Sequence, residues 1–185
     1  MDPECSGHFE EYSETAPNRH ALSGPIRIRP ADLEDADKLG RISAEREGEE
    51  ASIHITAFRR AIEGDEIGES LLVLVAEFEG EVIGFGKAKR VDSEDASPAG
   101  WYLSGVVVDP DYRRRGAGRL LTAARLKWIS ERSRCAYFFA NARNRVSIEL
   151  HERFGFQEIA RGPGFAGVSF TGGEGILFRA ELSRS

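Results

Sequence analysis

A cluster of arginines and glycines follows a short β-branched run in the middle of the chain. The run Val106, Val107 and Val108 predicts a buried strand that ends at Asp109. The next basic and small residues are, in order, Arg113, Arg114, Arg115, Gly116, Ala117, Gly118 and Arg119. The first amides of a helix have no partner within the helix, and glycines let an anion approach them closely. Because arginines add charge and paired donors, this segment predicts a phosphate or pyrophosphate site at a helix entrance.

Three phosphate-binding motifs can be compared with this segment. A P-loop has lysine followed by serine or threonine after its last glycine, whereas Arg119 follows here. A dinucleotide fingerprint has a third glycine where this chain has Leu121. The remaining pattern, Arg/Gln-x-x-Gly-x-Gly/Ala, is met by Arg113, Gly116 and Gly118. With the valines before it, the segment resembles the acetyl-CoA pyrophosphate loop of the GNAT superfamily of N-acetyltransferases. A basic turn that only caps a helix is the alternative.

An apolar strand is predicted at 137–140. After it, apolar residues recur at helical intervals over residues 145–154 and predict a helix. Val146, Leu150 and Phe154 recur every four residues, which predicts that they face the core. Gly155 is a typical residue for the end of such a helix.

Three polar residues lie on a second face of the same helix. Asn144, Ser147 and His151 have the spacing i, i+3 and i+7. The segment resembles a second GNAT motif, in which an asparagine binds the pantetheine arm and a tyrosine protonates the departing CoA thiolate. The resemblance implies that Asn144, Ser147 and His151 contact the cofactor, with His151 in the place of the tyrosine. A histidine, whose unperturbed pKa is about 6.5, can do that chemistry. The alternative is an imidazole that only hydrogen-bonds a carbonyl between helix and sheet.

The resemblance also implies a mechanism of direct attack by a primary amine on the thioester. Backbone amides from Val106 to Val108 would bind the acetyl carbonyl and the pantetheine, with the Val106 N–H stabilising the developing oxyanion. Residues 113–119 would hold the pyrophosphate. Many relatives have a glutamate base on the central strand, and this chain has none there. Deprotonation could run through water or through a side chain from elsewhere. Glu77 on the neighbouring predicted strand is one candidate base, and a solvent-facing structural role is its alternative. His54 on the second predicted helix is another candidate, again with a structural role as its alternative. The expected catalytic residues are therefore His151, Val106 and Glu77.

The order of predicted elements is β-α-α-β-β-β-α-β-α-β-β, as the resemblance implies. The expected fold class is α/β (α+β) and GNAT-like, with a mixed central sheet of six to seven strands flanked by four helices. Strands are predicted at 26–29, 71–77, 82–91, 101–108, 137–140, 156–161 and 175–182. Helices are predicted at 33–44, 52–62, 119–134 and 145–154, and residues 162–173 are predicted to form a glycine-rich loop.

The acceptor is indicated mainly by charge. The region of the first two predicted helices holds many acidic residues: Glu45, Glu47, Glu49, Glu50, Glu63, Asp65, Glu66 and Glu69. A cationic small-molecule amine, such as an aminoglycoside or a polyamine, would suit this charge. A solvated acidic surface is the alternative. Phe165 and Phe170 could form an aromatic wall in the last loop.

Composition limits the other classes of function. The chain has 185 residues and a net charge of −6, which disfavours nucleic-acid binding. No apolar run approaches a membrane span, so neither membrane nor nucleic acid is an expected partner, and the cytoplasm is the expected location. The two cysteines have no metal-binding spacing, and no metal is expected. Residues 1–24 are expected to be a disordered extension, and 25–185 a single GNAT N-acetyltransferase domain. The resemblance also implies that the chain could form a homodimer, since GNAT domains often dimerise.

Two further functions are compatible with the sequence alone. The domain could bind acyl-CoA without catalysis, as a sensor or structural module, because the tyrosine position holds His151. A nucleotide-binding regulator that uses the glycine turn is the third class. Binding of acetyl-CoA without turnover would indicate the acyl-CoA-binding module. Affinity for ATP or NAD would indicate the nucleotide-binding regulator.

Overall fold

The computed structural model describes residues 24–64, 66–92, 97–170 and 172–183. The predicted extension at 1–24 lies outside this range apart from Gly24, as does Asp65. The α-helices are α1 Ala36–Glu47, α2 Ala51–Glu63, α3 Ala117–Ser130 and α4 Arg145–Glu152. The strands are β1 Arg27–Pro30, β2 Leu71–Phe78, β3 Glu81–Val91, β4 Gly100–Val108, β5 Cys135–Asn141, β6 Gln157–Gly162, β7 Gly164–Phe165, β8 Val168–Ser169 and β9 Gly175–Glu181.

Seven strands form one mixed sheet in the order β1-β2-β3-β4-β5-β9-β6, and β7 pairs with β8. This confirms the expected fold class, a mixed sheet of six to seven strands with four helices. No helix within the described ranges is long and apolar enough to cross a bilayer. The described residues divide into two compact units, one from 24–89 and 103–128 and the other from 90–102 and 129–183.

The first unit is built around α1, α2 and the strands β1 to β3. Strand β2 pairs antiparallel with both β1 and β3, and its central residues are buried. Leu39 and Ile42 on α1 join this core, as the helical spacing predicted. The two helices approach closely at Gly40, where a Cβ atom would lie 2.8 Å from the Ile55 Cα. The core consists of Ala36, Leu39, Ile42, Phe58, Val73, Val75, Val82, Phe85 and Val107.

Helix α3, which lies in this unit up to Trp128, starts two residues before its predicted position. Leu121 and Arg125 are fully buried, whereas Leu120 and Trp128 are half-buried. The Arg125 guanidinium donates hydrogen bonds to the Leu121 and Lys87 carbonyls and to the Thr122 hydroxyl. A charged side chain was not a core candidate in the sequence. Its hydrogen bonds to backbone carbonyls explain how it can be buried.

The second unit is built on β5, β6 and β9. Strand β9 pairs antiparallel with both β5 and β6. The loop predicted at 162–173 contains the hairpin β7–β8, which the sequence analysis missed. Its turn residues Ala166 and Gly167 have φ values of 49° and 76°, as a two-residue hairpin turn requires. Phe165 and Phe170 are buried with Tyr102, Tyr137, Phe139 and Leu177. They are therefore core residues, and the expectation of an aromatic wall facing a substrate is wrong.

Helix α4 differs from its predicted orientation. Val146 is 40% exposed, although its spacing had placed it in the core, and Phe154 lies beyond the end of the helix. The buried residue is His151, which stacks on Phe138 of β5 and contacts the ring of Phe156 edge-on. Contacts with two aromatic rings thus bury His151, a residue of the helix face that is polar in the sequence.

Candidate active site

The arginine–glycine segment of the first unit forms a compact turn between β4 and α3. After β4 the Asp109 carboxylate accepts a hydrogen bond from the Asp111 amide and caps a single 3-10 turn, Pro110–Tyr112. The Arg113 Nε then donates to the Val108 carbonyl oxygen at 3.0 Å. This bond folds the loop back onto the end of β4. The first residue of the predicted motif therefore shapes the loop through its side chain.

The backbone of the same loop adopts left-handed conformations at two positions. Arg114 has a φ of 61° and Gly116 a φ of 91°. A Cβ atom at Gly116 would meet no heavy atom within 4 Å, so the space beside this backbone is open. The Gly116 carbonyl accepts from the Leu120 amide at 3.0 Å, and α3 begins at Ala117. The amides of the first turn of α3 thus follow directly on an open glycine, which suits the oxygens of a phosphate.

Several cations surround this helix entrance within the first unit. Arg114 is exposed, Arg113 and Arg115 are half-buried, and the Arg115 guanidinium lies 5.9 Å from the centre of the Tyr112 ring. Arg46, in the last turn of α1, was not singled out in the sequence. Burial and the positive charge of Arg113 lower the pKa of Arg46, against the opposing effect of Glu47. Nothing in local spacing could have connected Arg46 with the loop, because residue 46 and residue 113 are far apart along the chain.

Strand β4 carries the valines that the resemblance assigns to acetyl and pantetheine binding. Val107 is buried in the core of the first unit, and Val106 and Val108 are half-buried. Gly105, directly before Val106, has a φ of 53° inside the strand. A positive φ at a strand glycine is typical of a β-bulge, which redirects the backbone groups beside it. The sequence analysis did not predict this irregularity.

Glu77 lies on β2 in an ion-pair network. Its Oε2 accepts from the Arg29 Nε at 2.8 Å, and the other guanidinium nitrogens of Arg29 bond both carboxylate oxygens of Asp35 at 2.6 and 2.9 Å. The Glu77 side chain is 19% exposed. The carboxylate is therefore held by a cation and is not the solvent-facing strand glutamate of the alternative interpretation.

In the second unit the three polar residues of the α4 motif are connected through one another. The Asn144 Oδ1 accepts from the Ser147 amide at 3.1 Å and caps α4. The Ser147 carbonyl oxygen in turn lies 2.7 Å from the His151 Nδ1. The His151 ring is parallel to that of Phe138, with 3.7 Å between ring centres. Backbone and stacking contacts thus fix the position of this imidazole.

The contact with Ser147 determines which nitrogen of His151 carries a proton. A carbonyl oxygen can only accept, so Nδ1 is the donor. In the neutral ring Nε2 then has no proton, and His151 can donate from Nε2 only as the imidazolium. Its side chain is 2% exposed. The hydrogen bond between His151 and the Ser147 carbonyl matches the alternative in which the imidazole only hydrogen-bonds a carbonyl. The same bond also fixes the orientation of the ring, which a general acid would need.

Comparisons with known proteins identify the family of this chain. A family model described as the acetyltransferase (GNAT) family matches residues 32–156. The aminoglycoside N(6')-acetyltransferase type 1 of Salmonella typhimurium is 31% identical over 107 residues, which are 54% of this chain and 72% of that protein. A ribosomal-protein-alanine N-acetyltransferase from Brucella melitensis is 25% identical, with a TM-score of 0.64 over 84% of this chain and 99% of that one. YncA from Salmonella typhimurium, solved with its cofactor acetyl-CoA, is 21% identical, with a TM-score of 0.65 over 86% and 95% of the two chains.

The family match covers more than half of the chain and spans the arginine–glycine loop and α4. The solved structures share the fold, including those at low sequence identity. The chain belongs to the GNAT acetyltransferase family and is an acyltransferase, as the two motifs indicated.

Proposed function

We propose that this protein transfers the acetyl group of acetyl-CoA to a primary amine of a small molecule. The observation that carries the proposal is the loop after β4, where Arg113 closes onto the Val108 carbonyl and Gly116 leaves open space before α3. That arrangement suits a pyrophosphate, which supports acetyl-CoA as the acetyl donor. The residues that bind it are Arg113, Arg114, Arg115, Gly116, Ala117, Gly118 and Arg119, together with Val106 to Val108 on β4 and Asn144, Ser147 and His151 on α4.

In the proposed reaction the amine nitrogen attacks the thioester carbonyl carbon while the carbon–sulfur bond breaks. The Val106 amide donates a hydrogen bond to the carbonyl oxygen as negative charge develops there, a contribution often worth about 3 kcal/mol. The attacking nitrogen loses a proton to Glu77 or to water. His151, as the imidazolium, gives the proton that converts the CoA thiolate into the thiol. The Glu77 contact with Arg29 has to open for this carboxylate to act as the base.

The acceptor we propose is a cationic amine of the aminoglycoside or polyamine class. The relative from Salmonella typhimurium is an aminoglycoside N(6')-acetyltransferase, which supports the first of these. Acidic side chains of the first unit, among them Glu45, Glu50, Glu63 and Glu66, are exposed. They provide a negative surface that attracts polycations. A cytoplasmic location and a homodimer remain predictions from the sequence.

The proposal is tested by incubating the purified chain with acetyl-CoA and a panel of acceptors. The panel holds aminoglycosides, spermidine and, because the relative from Brucella melitensis acts on a ribosomal protein, a peptide with a free N-terminal alanine. Mass spectrometry detects the addition of one acetyl group, and release of the CoA thiol gives the rate. We expect turnover with an aminoglycoside or spermidine and little with the peptide. Turnover confined to the peptide would contradict a small-molecule acceptor.

A further inference from the structure

Three metal-ligand side chains meet where α1 is connected to α2 in the first unit. Glu47 is the last residue of α1, Glu49 lies in the connection, and His54 is in the first turn of α2. The His54 Nε2 is 3.2 Å from the Glu49 Oε2 and 3.8 Å from the Glu47 Oε2. One donor atom from each residue lies within 4.8 Å of the other two. An imidazole nitrogen and two carboxylate oxygens thus converge on one point.

The His54 nitrogen at the centre of this cluster is buried. Its side chain is 12% exposed, and within the described part of the chain no hydrogen bond of acceptable geometry reaches Nε2. The two nearest carboxylate oxygens therefore face the nitrogen without a well-aligned N–H···O contact. A buried polar atom without a hydrogen bond is costly, and such atoms usually have an additional partner such as an ion.

The two nitrogen–oxygen distances suit a bound divalent ion. Zinc binds histidine nitrogen and carboxylate oxygen at about 2.0 to 2.2 Å, which places adjacent ligand atoms roughly 3 to 4 Å apart. The two nitrogen–oxygen distances in the cluster fall in that interval. Two carboxylates also balance the charge of a divalent cation. Nitrogen with oxygen ligands favours zinc and neighbouring first-row metals over calcium, which takes oxygen ligands only.

The backbone explains how the cluster forms. Gly48 ends α1 with a φ of 71°, and its amide donates to the Ala44 carbonyl at 2.8 Å. This left-handed residue reverses the chain between Glu47 and Glu49 and returns it towards α2. The spacing Glu-x-Glu-x4-His is not a recognised zinc signature, so no metal is expected here from the sequence alone.

We propose that Glu47, Glu49 and His54 bind a divalent transition-metal ion of the zinc class and thereby tie the end of α1 to the start of α2. Three protein ligands leave at least one coordination position for water or another small ligand. A metal at this position stabilises the folded chain, because the unfolded chain does not hold the three ligands together.

The test uses the full chain without an affinity tag, stripped of metal with a chelator. Calorimetric titration with Zn²⁺ gives the affinity and stoichiometry, and the visible absorption of the Co²⁺-loaded protein reports nitrogen ligation. We expect one Zn²⁺ per chain with micromolar or tighter affinity. The variants H54Q and E49Q should each weaken binding by about 100-fold or more, since each removes a direct ligand. Zn²⁺ should also raise the melting temperature of the unmodified chain and not that of H54Q.

The matched control is E45Q, which removes the same charge from an exposed position of α1 outside the cluster. It should bind Zn²⁺ as the unmodified chain does. Unchanged Zn²⁺ affinity in both H54Q and E49Q would overturn the proposal, and would place the ion on other histidines of the chain. Binding weaker than millimolar in the unmodified chain would also overturn it. A third contradictory result is that the variants lose affinity for a cationic amine and keep that for Zn²⁺. None of these readouts depends on acetyl transfer.

Discussion

Gly116 lies in the proposed pyrophosphate loop after β4, directly before α3. Its φ of 91° is a conformation that other residues adopt only with strain, and the space beside it is open. We predict that Gly116→Ala weakens acetyl-CoA binding by about 10-fold or more. The backbone strain would disturb the turn before α3, and the added methyl group would occupy the open space proposed for the anion. Calorimetric titration with acetyl-CoA measures this change.

The control for this variant is Gly80→Ala in the turn between β2 and β3. Gly80 has a φ of 84° and equally open surroundings, so the two substitutions impose similar backbone strain. Each should lower the free energy of unfolding by about 1 kcal/mol. Only the change at Gly116 should alter acetyl-CoA affinity. Equal affinities for the two variants would show that the loop does not bind the pyrophosphate.

Substitutions of His151 can distinguish a role as the general acid from a role in packing alone. We predict that His151→Phe lowers kcat by roughly 100-fold, the usual contribution of a general acid, while the ring still stacks on Phe138. His151→Tyr should retain more activity, since it restores a hydroxyl donor at the position where the family has a tyrosine. Rates are compared at saturating acetyl-CoA, after circular dichroism has shown that both variants are folded.

The Ser147 carbonyl binds the His151 Nδ1, so Nε2 is the nitrogen that would protonate the thiolate. An unchanged kcat in His151→Phe would assign the residue to packing alone.

At the scale of elements, the junction of β1 with the helical layer depends on Asp35. Burial alone would raise the pKa of the Asp35 carboxyl, but the hydrogen bonds and charge of Arg29 and the amide of Asp32 outweigh it and lower the pKa. A lowered pKa in the folded state means that the ionised carboxyl stabilises the fold above its unfolded pKa of about 3.9. This stability is lost as the pH falls through the folded value.

We therefore predict that Asp35→Asn lowers the free energy of unfolding by about 3 kcal/mol at pH 7, because it leaves the Arg29 charge without its best partner. The difference from the unmodified chain should shrink as the pH drops from about 5 to below 4. Urea denaturation at several pH values measures it. Asp37→Asn, which breaks the exposed pair with Arg59, should have little effect at any pH. A pH-independent difference for Asp35→Asn would contradict the assigned ionisation.

Helices and strands were predicted well where the local periodicity of the sequence determines them. Features that depend on contacts between distant residues were predicted poorly. The order of strands and helices followed from apolar runs and glycine turns, and the strand–loop–helix at 106–119 was complete in the sequence. The buried face of α4 was missed because stacking on Phe138 decides it. The left-handed backbone at Gly105 and the proximity of Arg46 to Arg113 also depend on backbone and packing that no local pattern encodes.

For the whole molecule, family and fold follow from two short motifs, and the acceptor does not. The 31% identity with an aminoglycoside N(6')-acetyltransferase and the exposed acidic side chains of the first unit support the proposed cationic small-molecule acceptor. The cluster of Glu47, Glu49 and His54 shows why charge alone was ambiguous in the sequence, since the same acidic run contains residues that converge on a histidine. Only folding shows which of these acids lie beside the histidine.

We propose that the loop between β4 and α3 makes this chain an acetyl-CoA enzyme. Calorimetric titration of the full chain with acetyl-CoA, with ATP and NAD as separate titrants, tests this proposal. We predict binding of one acetyl-CoA per chain with micromolar affinity and no comparable binding of ATP or NAD. Absence of acetyl-CoA binding, or equal affinity for ATP, would contradict the assignment of the loop.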